Sequence, residues 1–225
     1  MLRILTTTEV LQVRAAAGPT PTGLRDRAIV ALAYGCGLRA AEISAADCRD
    51  VDFRHCTITV PTAKQRGARR RRTVPIPALA QCDLRDYLTA ARPALITTAP
   101  RHVRALILAA DRGQVRRGHR ISRQSIRYRV KALFRRAGID VDGCCCHALR
   151  HAFATHTLHG MRARTGNGGW APADAQRQLQ LLLGHESLRS TGIYFDVGQE
   201  ELAATVNRCH PWGRPVQLTL GEVDQ

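Results

Sequence analysis

The chain has 225 residues, enough for one domain with a sizeable core, and 34 basic against 18 acidic side chains leave it a formal charge of +16. A surplus that large points to a polyanionic partner, nucleic acid first. The longest apolar run, around AIVALAYG, is too short to cross a bilayer, and eight cysteines, three of them adjacent, behind an opening MLRILTTTEV that shows no signal peptide argue for thiols in a reducing cytoplasm rather than a disulfide scaffold.

The predicted elements begin at LTTTEV. Thr6 and Glu9 have the spacing of a capping box, and Leu5 and Val10 that of a hydrophobic staple, so a helix is expected to run to about Ala17, where Gly18-Pro19-Thr20-Pro21 breaks it. A second helix from about Thr22 carries Leu24, Ala28, Ile29, Leu32 and Ala33 on one face and ends at Gly35-Cys36-Gly37. Leu38 to Ile43 begins another helical turn with Arg39 at its start.

β character follows. Cys56–Val60 alternates and is β-rich, as is Thr73–Ile76, and Pro75 places the second strand at an edge or at its own beginning. Between them PTAKQRGARRRR reads as a hairpin tip bearing Lys64, Arg66 and the run Arg69, Arg70, Arg71, Arg72. Such a run is either a solvated loop or a ribbon pressed against phosphates. The chain holds only two lysines, Lys64 and Lys131, among its many arginines. Lysine gives up a proton near neutral pH where arginine does not, so each one stands out.

Residues 78–110 are expected to be helical, with interruptions near Arg92-Pro93 and Ala99-Pro100. From Ser122 to Ala137 the apolar positions Ile126, Val130, Leu133 and Phe134 repeat at helical spacing and Gly138 supplies the stop, while Arg123, Arg127, Arg129 and Arg136 fall on the opposite, outward face. A helix from about Cys146 to His159 precedes a flexible loop rich in Gly, Arg and Ala, residues 160–174. Ala175–Leu183 reads as a buried helix closed by Gly184, and Glu200–Val206 as a last helix before a polar tail from His210; Trp212 has no evident place.

CCCHALRHAFATH, residues 144–156, has the look of a metal site. Adjacent cysteines diverge on a helix or a strand, no second pair lies at zinc-finger spacing, and no glutamate accompanies His147 and His151 as in H-E-x-x-H. No metal is therefore expected. His147 and Arg150, by contrast, are stacked by a helix on one side, where both can donate to a single small anion.

In this company the sequence resembles the catalytic domain of the tyrosine recombinases, the phage integrase family. The matching stretches are LTTTEV, GLRDRAIVALAYGCGLRAAEIS, the hairpin lysine before TVPIP, the H-x-L-R-H-A-F-A-T-H segment, and L-L-G-H with Tyr194 nine residues beyond His185, all in family order. The resemblance implies an α+β, mainly α-helical catalytic fold over residues 1–206, with a small antiparallel sheet or hairpin near residues 56–77 and a tail at 207–225. It implies that Arg39, Lys64, His147, Arg150 and His185 surround a phosphate and that Tyr194 is the nucleophile. Glu42 takes the place of the acidic support of the first arginine, and His151 that of a histidine that either supports the site residues from behind or packs. Arg66, Arg69 to Arg72, Arg123 and Arg127 are the expected DNA contacts.

The chemistry suits these residue types. Two guanidiniums and imidazole N–H groups, fixed in advance, stabilise the charge that develops on the non-bridging oxygens of a phosphodiester, and losing one such donor costs roughly 3 kcal/mol. A phenol with a free pKa of about 10 needs cationic neighbours to attack as phenolate. The product is a 3′-phosphotyrosine, and Lys64 can protonate the leaving 5′-oxygen. Because the covalent link stores the bond, the step reverses with no cofactor, metal or ATP.

The expected function is site-specific recombination on double-stranded DNA. The alternatives are a DNA-binding remnant that no longer recombines and a type IB topoisomerase-like relaxation activity. Two departures from the family pattern bear on this expectation. Few residues precede the catalytic pattern, so the family's N-terminal core-binding domain is expected to be absent, as in fimbrial phase-switch invertases. The interval from His156 to His185 is also longer than usual, and the excess falls in loop 160–174, where Arg162, Arg164 and Trp170 are candidates to touch DNA or a neighbouring protomer. The C-terminal segment from Glu200 resembles the family's docking tail, so multimers on DNA are expected, in a cytoplasmic, nucleoid-associated protein with no membrane partner.

Overall fold

In the computed structural model, which describes residues 3–61, 71–96, 103–109, 118–140, 145–163, 172–183 and 199–213, local capping sets the first helices. The Thr6 hydroxyl accepts from the Glu9 N–H at 3.2 Å and the Glu9 carboxylate accepts from the Thr6 N–H at 2.8 Å, which opens α1 (Thr7–Ala15) with both flanking residues Leu5 and Val10 fully buried. Thr20 caps α2 (Pro21–Val30), with Pro21 in its first turn where no N–H is needed. The helix then widens into a π turn, Ala31–Gly35. Gly37 follows at φ +61°, where a Cβ would lie 2.5 Å from the Phe153 ring, so this corner accepts only glycine. Arg39 is the N-terminal cap of α3 (Ala40–Ala45).

The expected hairpin is present and gains a strand. β1 (Val51–Asp52), β2 (Thr57–Pro61) and β3 (Arg71–Pro75) form an antiparallel sheet in that order, in a register that pairs Ile58 with Val74 and Val60 with Arg72. The tip with Lys64, Arg66, Arg69 and Arg70 lies outside the described residues, as do Arg164, Trp170, His185 and Tyr194.

The helical expectation for residues 78–110 needs correction. α4 (Ala78–Asp86) passes without a break through a π turn, Tyr87–Ala91, into α5 (Arg92–Leu95), and Pro93 is tolerated because it falls in the first turn of α5. Residues 105–109 are irregular instead, with bends at 106 and 107 between isolated β-bridges at Ala105 and Leu108. Leu106 N–H donates to Ala46 O at 2.9 Å, Ile121 N–H to Ile107 O at 3.1 Å and Ala109 N–H to His119 O at 2.7 Å, so this buried apolar run is satisfied from both sides. α6 (Arg123–Arg136) matches its expected bounds, with Ser122 as cap and Gly138 at φ +67° past its end. Arg129 does not face outward, however: it ion-pairs with the buried carboxylate of Asp26 at 2.6 Å, which also binds Arg25.

Helix α7 (Cys145–Arg162) runs through the molecule with α6, α8 (Pro172–Leu183) and α9 (Gln199–Cys209) against it. The helices claim both ends of the expected loop, 160–162 and 172–174. The polar tail predicted from His210 is also displaced. His210 is 2% exposed and Trp212 1%, and the indole sits edge-on to Tyr34 with centroids 4.8 Å apart. Gly35 leaves the room: a Cβ there would lie 2.8 Å from Ala80 and 3.5 Å from the indole. Among the described residues no helix is long and apolar enough to cross a membrane.

Candidate functional site

Glu42 stands in the first turn of α3, where a carboxylate is favoured by the exposed N–H groups and the helix dipole. One of its oxygens accepts from the Arg39 backbone N–H at 2.8 Å, and the other from the Arg39 guanidinium at 3.1 Å. The same carboxylate takes a bidentate pair from Arg72 of β3, at 2.7 and 3.0 Å. A third guanidinium, that of Arg150 on α7, stands 3.8 Å away, donating to Gly37 O and, at 2.7 Å, to Leu183 O. Arg72 Nε donates to Leu182 O at 3.3 Å. Two arginines thus satisfy carbonyls at the C-terminal end of α8 that the helix leaves without N–H partners, where cations are also favoured by the dipole.

Exposure divides the cluster. The side chains of Glu42, Arg150 and Arg72 are 7%, 7% and 10% exposed, whereas that of Arg39 is 38% exposed. The cluster is therefore open to solvent on the Arg39 side. Burial alone would raise the Glu42 pKa, but the hydrogen bonds and charge of Arg72, the Arg39 N–H and the charge of Arg150 more than offset it and hold the carboxyl below its ordinary value. For Arg150, burial first and then the charges of Arg39 and Arg72 outweigh the attraction of Glu42 and pull the guanidinium down to about 10. It stays protonated at neutral pH, in a field that is short of negative charge.

His147 lies one turn before Arg150 on α7, exposed. Its Nε2 stands 3.0 Å from Nε2 of His151, with the rings edge-on at 88°. Only one of these nitrogens can carry the proton between them. Partial burial, then the charges of His151, Arg150 and Arg39, lower the His147 pKa, so the ring is neutral at neutral pH. His151, expected to support a site residue or to pack, is exposed and turned toward His147. Cys145 and Cys146 are buried, and no three His, Cys, Asp or Glu side chains converge to hold a metal ion among the described residues.

The structure therefore brings Arg39, Glu42, His147 and Arg150 together, while Lys64, His185 and Tyr194 lie outside the described residues. Arg123 and Arg127 are exposed on α6, and Arg71 reaches back to Asp50 and, at 3.0 Å, to Thr59 O. Arg72 is the correction: expected among the outward DNA contacts, it is turned inward on Glu42. Strand parity carried the signal, since Arg72 lies two residues before buried Val74 and opposite buried Val60.

Residues 3–201 match the model of the phage integrase family. The chain belongs to that family. Tyrosine recombinase XerC 2 of Ralstonia nicotianae is 38% identical over 209 residues, which cover 92% of this chain and 53% of that protein. Tyrosine recombinase XerD of Xanthomonas campestris pv. campestris is 38% identical over 200 residues, 86% of this chain and 54% of the relative. This integrase-family chain thus spans about half the length of the curated relatives it matches. Among solved structures, the XerH site-specific recombinase bound to a palindromic difH substrate in a post-cleavage complex has the same fold, with a TM-score of 0.59 at 19% identity over 82% of this chain and 46% of that one. In this family member three of the four clustered side chains, Arg39, His147 and Arg150, have the means to bind one singly charged oxyanion: guanidinium N–H groups, and an imidazole that donates or accepts.

Proposed function

We propose that the chain is the catalytic domain of a site-specific recombinase that cuts and rejoins double-stranded DNA through Tyr194. The observation that carries this reading is the shared carboxylate, Glu42, which holds the guanidiniums of Arg39 and Arg150 beside His147 before any ligand arrives. Donors fixed in advance need no reorganisation when charge grows on the phosphate oxygens. Arg39 and Arg150 bind the non-bridging oxygens, and His147 and His185 add N–H donors. Tyr194 gives up its phenolic proton to solvent and attacks phosphorus as phenolate, forming a 3′-phosphotyrosine as the bond from phosphorus to the 5′-oxygen breaks and that oxygen takes a proton from Lys64. Attack of a second 5′-hydroxyl reverses the step. Arg66, Arg69, Arg70, Arg71, Arg123 and Arg127 supply the sequence-independent phosphate contacts that a +16 chain brings to a duplex.

Assembly on DNA through the C-terminal segment belongs to the same reading. Within the segment from Glu200, helix α9 and Trp212 are packed on their own chain, and residues 214–225 lie outside the described residues. A suicide duplex that loses the cleaved 5′ fragment tests the chemistry: the chain is expected to be captured covalently on the 3′ side, and Tyr194→Phe to bind without capture. Equal capture by both proteins would overturn the assignment.

A further inference from the structure

Arg72 joins three segments, and the segments on either side of the cluster carry the proposed catalytic residues. Its guanidinium chelates Glu42 at 2.7 and 3.0 Å, and Glu42 is also the partner of Arg39. Its Nε holds Leu182 O at 3.3 Å at the end of α8, next to the Leu183 carbonyl held by Arg150. In the sequence, the chain that leaves α8 carries His185 and Tyr194, and the chain that enters β3 at Arg71 carries Lys64. We infer that Arg72 is a positioning residue of the proposed reaction, a clamp that sets the end of α8 and the start of β3 in register with the phosphate-binding arginines. It is set apart from the substrate: its side chain is 10% exposed, and each of its two Nη atoms donates to Glu42.

The geometry explains why arginine stands here. A planar fork can chelate a carboxylate on one edge and still offer Nε to a carbonyl, whereas a lysine ammonium is a single point. Reacting groups tolerate little displacement, and a shift of about 1 Å costs on the order of a hundredfold in rate.

The inference rests on the proposed recombinase chemistry, and its test separates the two. Arg72→Ala and Arg72→Lys in the full chain are compared with wild type for duplex affinity, for the first-order rate of covalent capture on the suicide duplex, and for melting. The expected result is affinity within about threefold, capture slowed about a hundredfold in Arg72→Ala and less in Arg72→Lys, and partial recovery of Arg72→Ala by added methylguanidinium, which can refill the Glu42 site. Capture at the wild-type rate would overturn the inference. So would affinity, rate and stability falling together with no recovery, which describes a structural residue only. If wild type itself captures no DNA, the recombinase reading fails. Hydrogen exchange in the last turn of α8 then decides the clamp alone: faster exchange in Arg72→Ala supports it, and unchanged exchange refutes it.

Discussion

Glu42→Gln is the most exacting single test of the buried cluster. The substitution keeps the volume and removes one negative charge from a side chain 7% exposed, where Arg72 at 10% and Arg150 at 7% are equally withdrawn from water. The amide also turns NH2 donors toward guanidiniums that only donate. Removing one member of a buried ion pair costs about 3–5 kcal/mol because the remaining charge is left uncompensated. For a chain of this length each kcal/mol lowers the melting temperature by about 2–4 °C, so a fall of about 6–20 °C is expected. Urea unfolding supplies the free energy, with an unchanged slope showing that the same surface is exposed. The sign with pH is fixed by the lowered Glu42 pKa. The stabilisation is fully present above the ordinary value of 4.5 and is lost as pH falls through the lower folded value, so wild type and variant converge only in acid. Adding Arg72→Met to Glu42→Gln is expected to cost less than Arg72→Met alone, because the arginine has by then lost its partner. A loss below about 1 kcal/mol, or additive effects in the double variant, would show that Glu42 is not the counterion of the cluster.

Gly37→Ala should destabilise by about 2–5 kcal/mol, from φ +61° and the 2.5 Å approach of the new Cβ to Phe153; melting together with the suicide-duplex rate checks it, because Gly37 O also holds Arg150. Burial first, then the charge of His156, drives the His210 pKa down to about 3, so acid is expected to unfold the chain by about 1.4 kcal/mol per pH unit below 6.5, a dependence that His210→Gln should flatten in urea titrations. The lowered pKa of His147 means that a bound phosphate should draw a proton onto the ring, so affinity for a short duplex should rise as pH falls from 8 toward 6. That rise should vanish in His147→Asn, and an identical slope in the variant would assign it elsewhere. Trp212→Ala should cost about 3–5 kcal/mol, as for a core aromatic, and a loss within 0.5 kcal/mol would contradict its packing on Tyr34.

What the sequence made legible was mostly what a few consecutive residues decide. The Thr6–Glu9 box, the Ser122 cap and the Gly138 stop each act within one helical turn, and α1 and α6 match their expected bounds closely. The spacing of His147 and Arg150 on one helix and the placing of Arg39 at a helix start were legible for the same reason. The buried run Ala105–Ala109 was not, because an apolar stretch of that length suits a helix or a strand equally until its partners at Ala46 and His119 are known. Trp212 needed knowledge of the space beside Gly35, which is a property of the fold and not of its neighbours in sequence.

Arg72 is the instructive miss. Four successive arginines suggest one function for all of them, yet strand pleating sends alternate side chains to opposite faces. Arg71 is accordingly exposed and reaches Asp50, while Arg72 enters the core beside Val74 and meets Glu42. The consequence is an uneven charge count. Three guanidiniums share one carboxylate, and burial first, then the charges of Arg39 and Arg72, pull Arg150 down to about 10 despite Glu42. On the proposed reading the phosphate arrives beside Arg39, the exposed member of the cluster, and brings the negative charge that the three guanidiniums lack. The sequence supplies the arginines; the fold sets three of them on one carboxylate, and the proposed phosphate site rests on that imbalance.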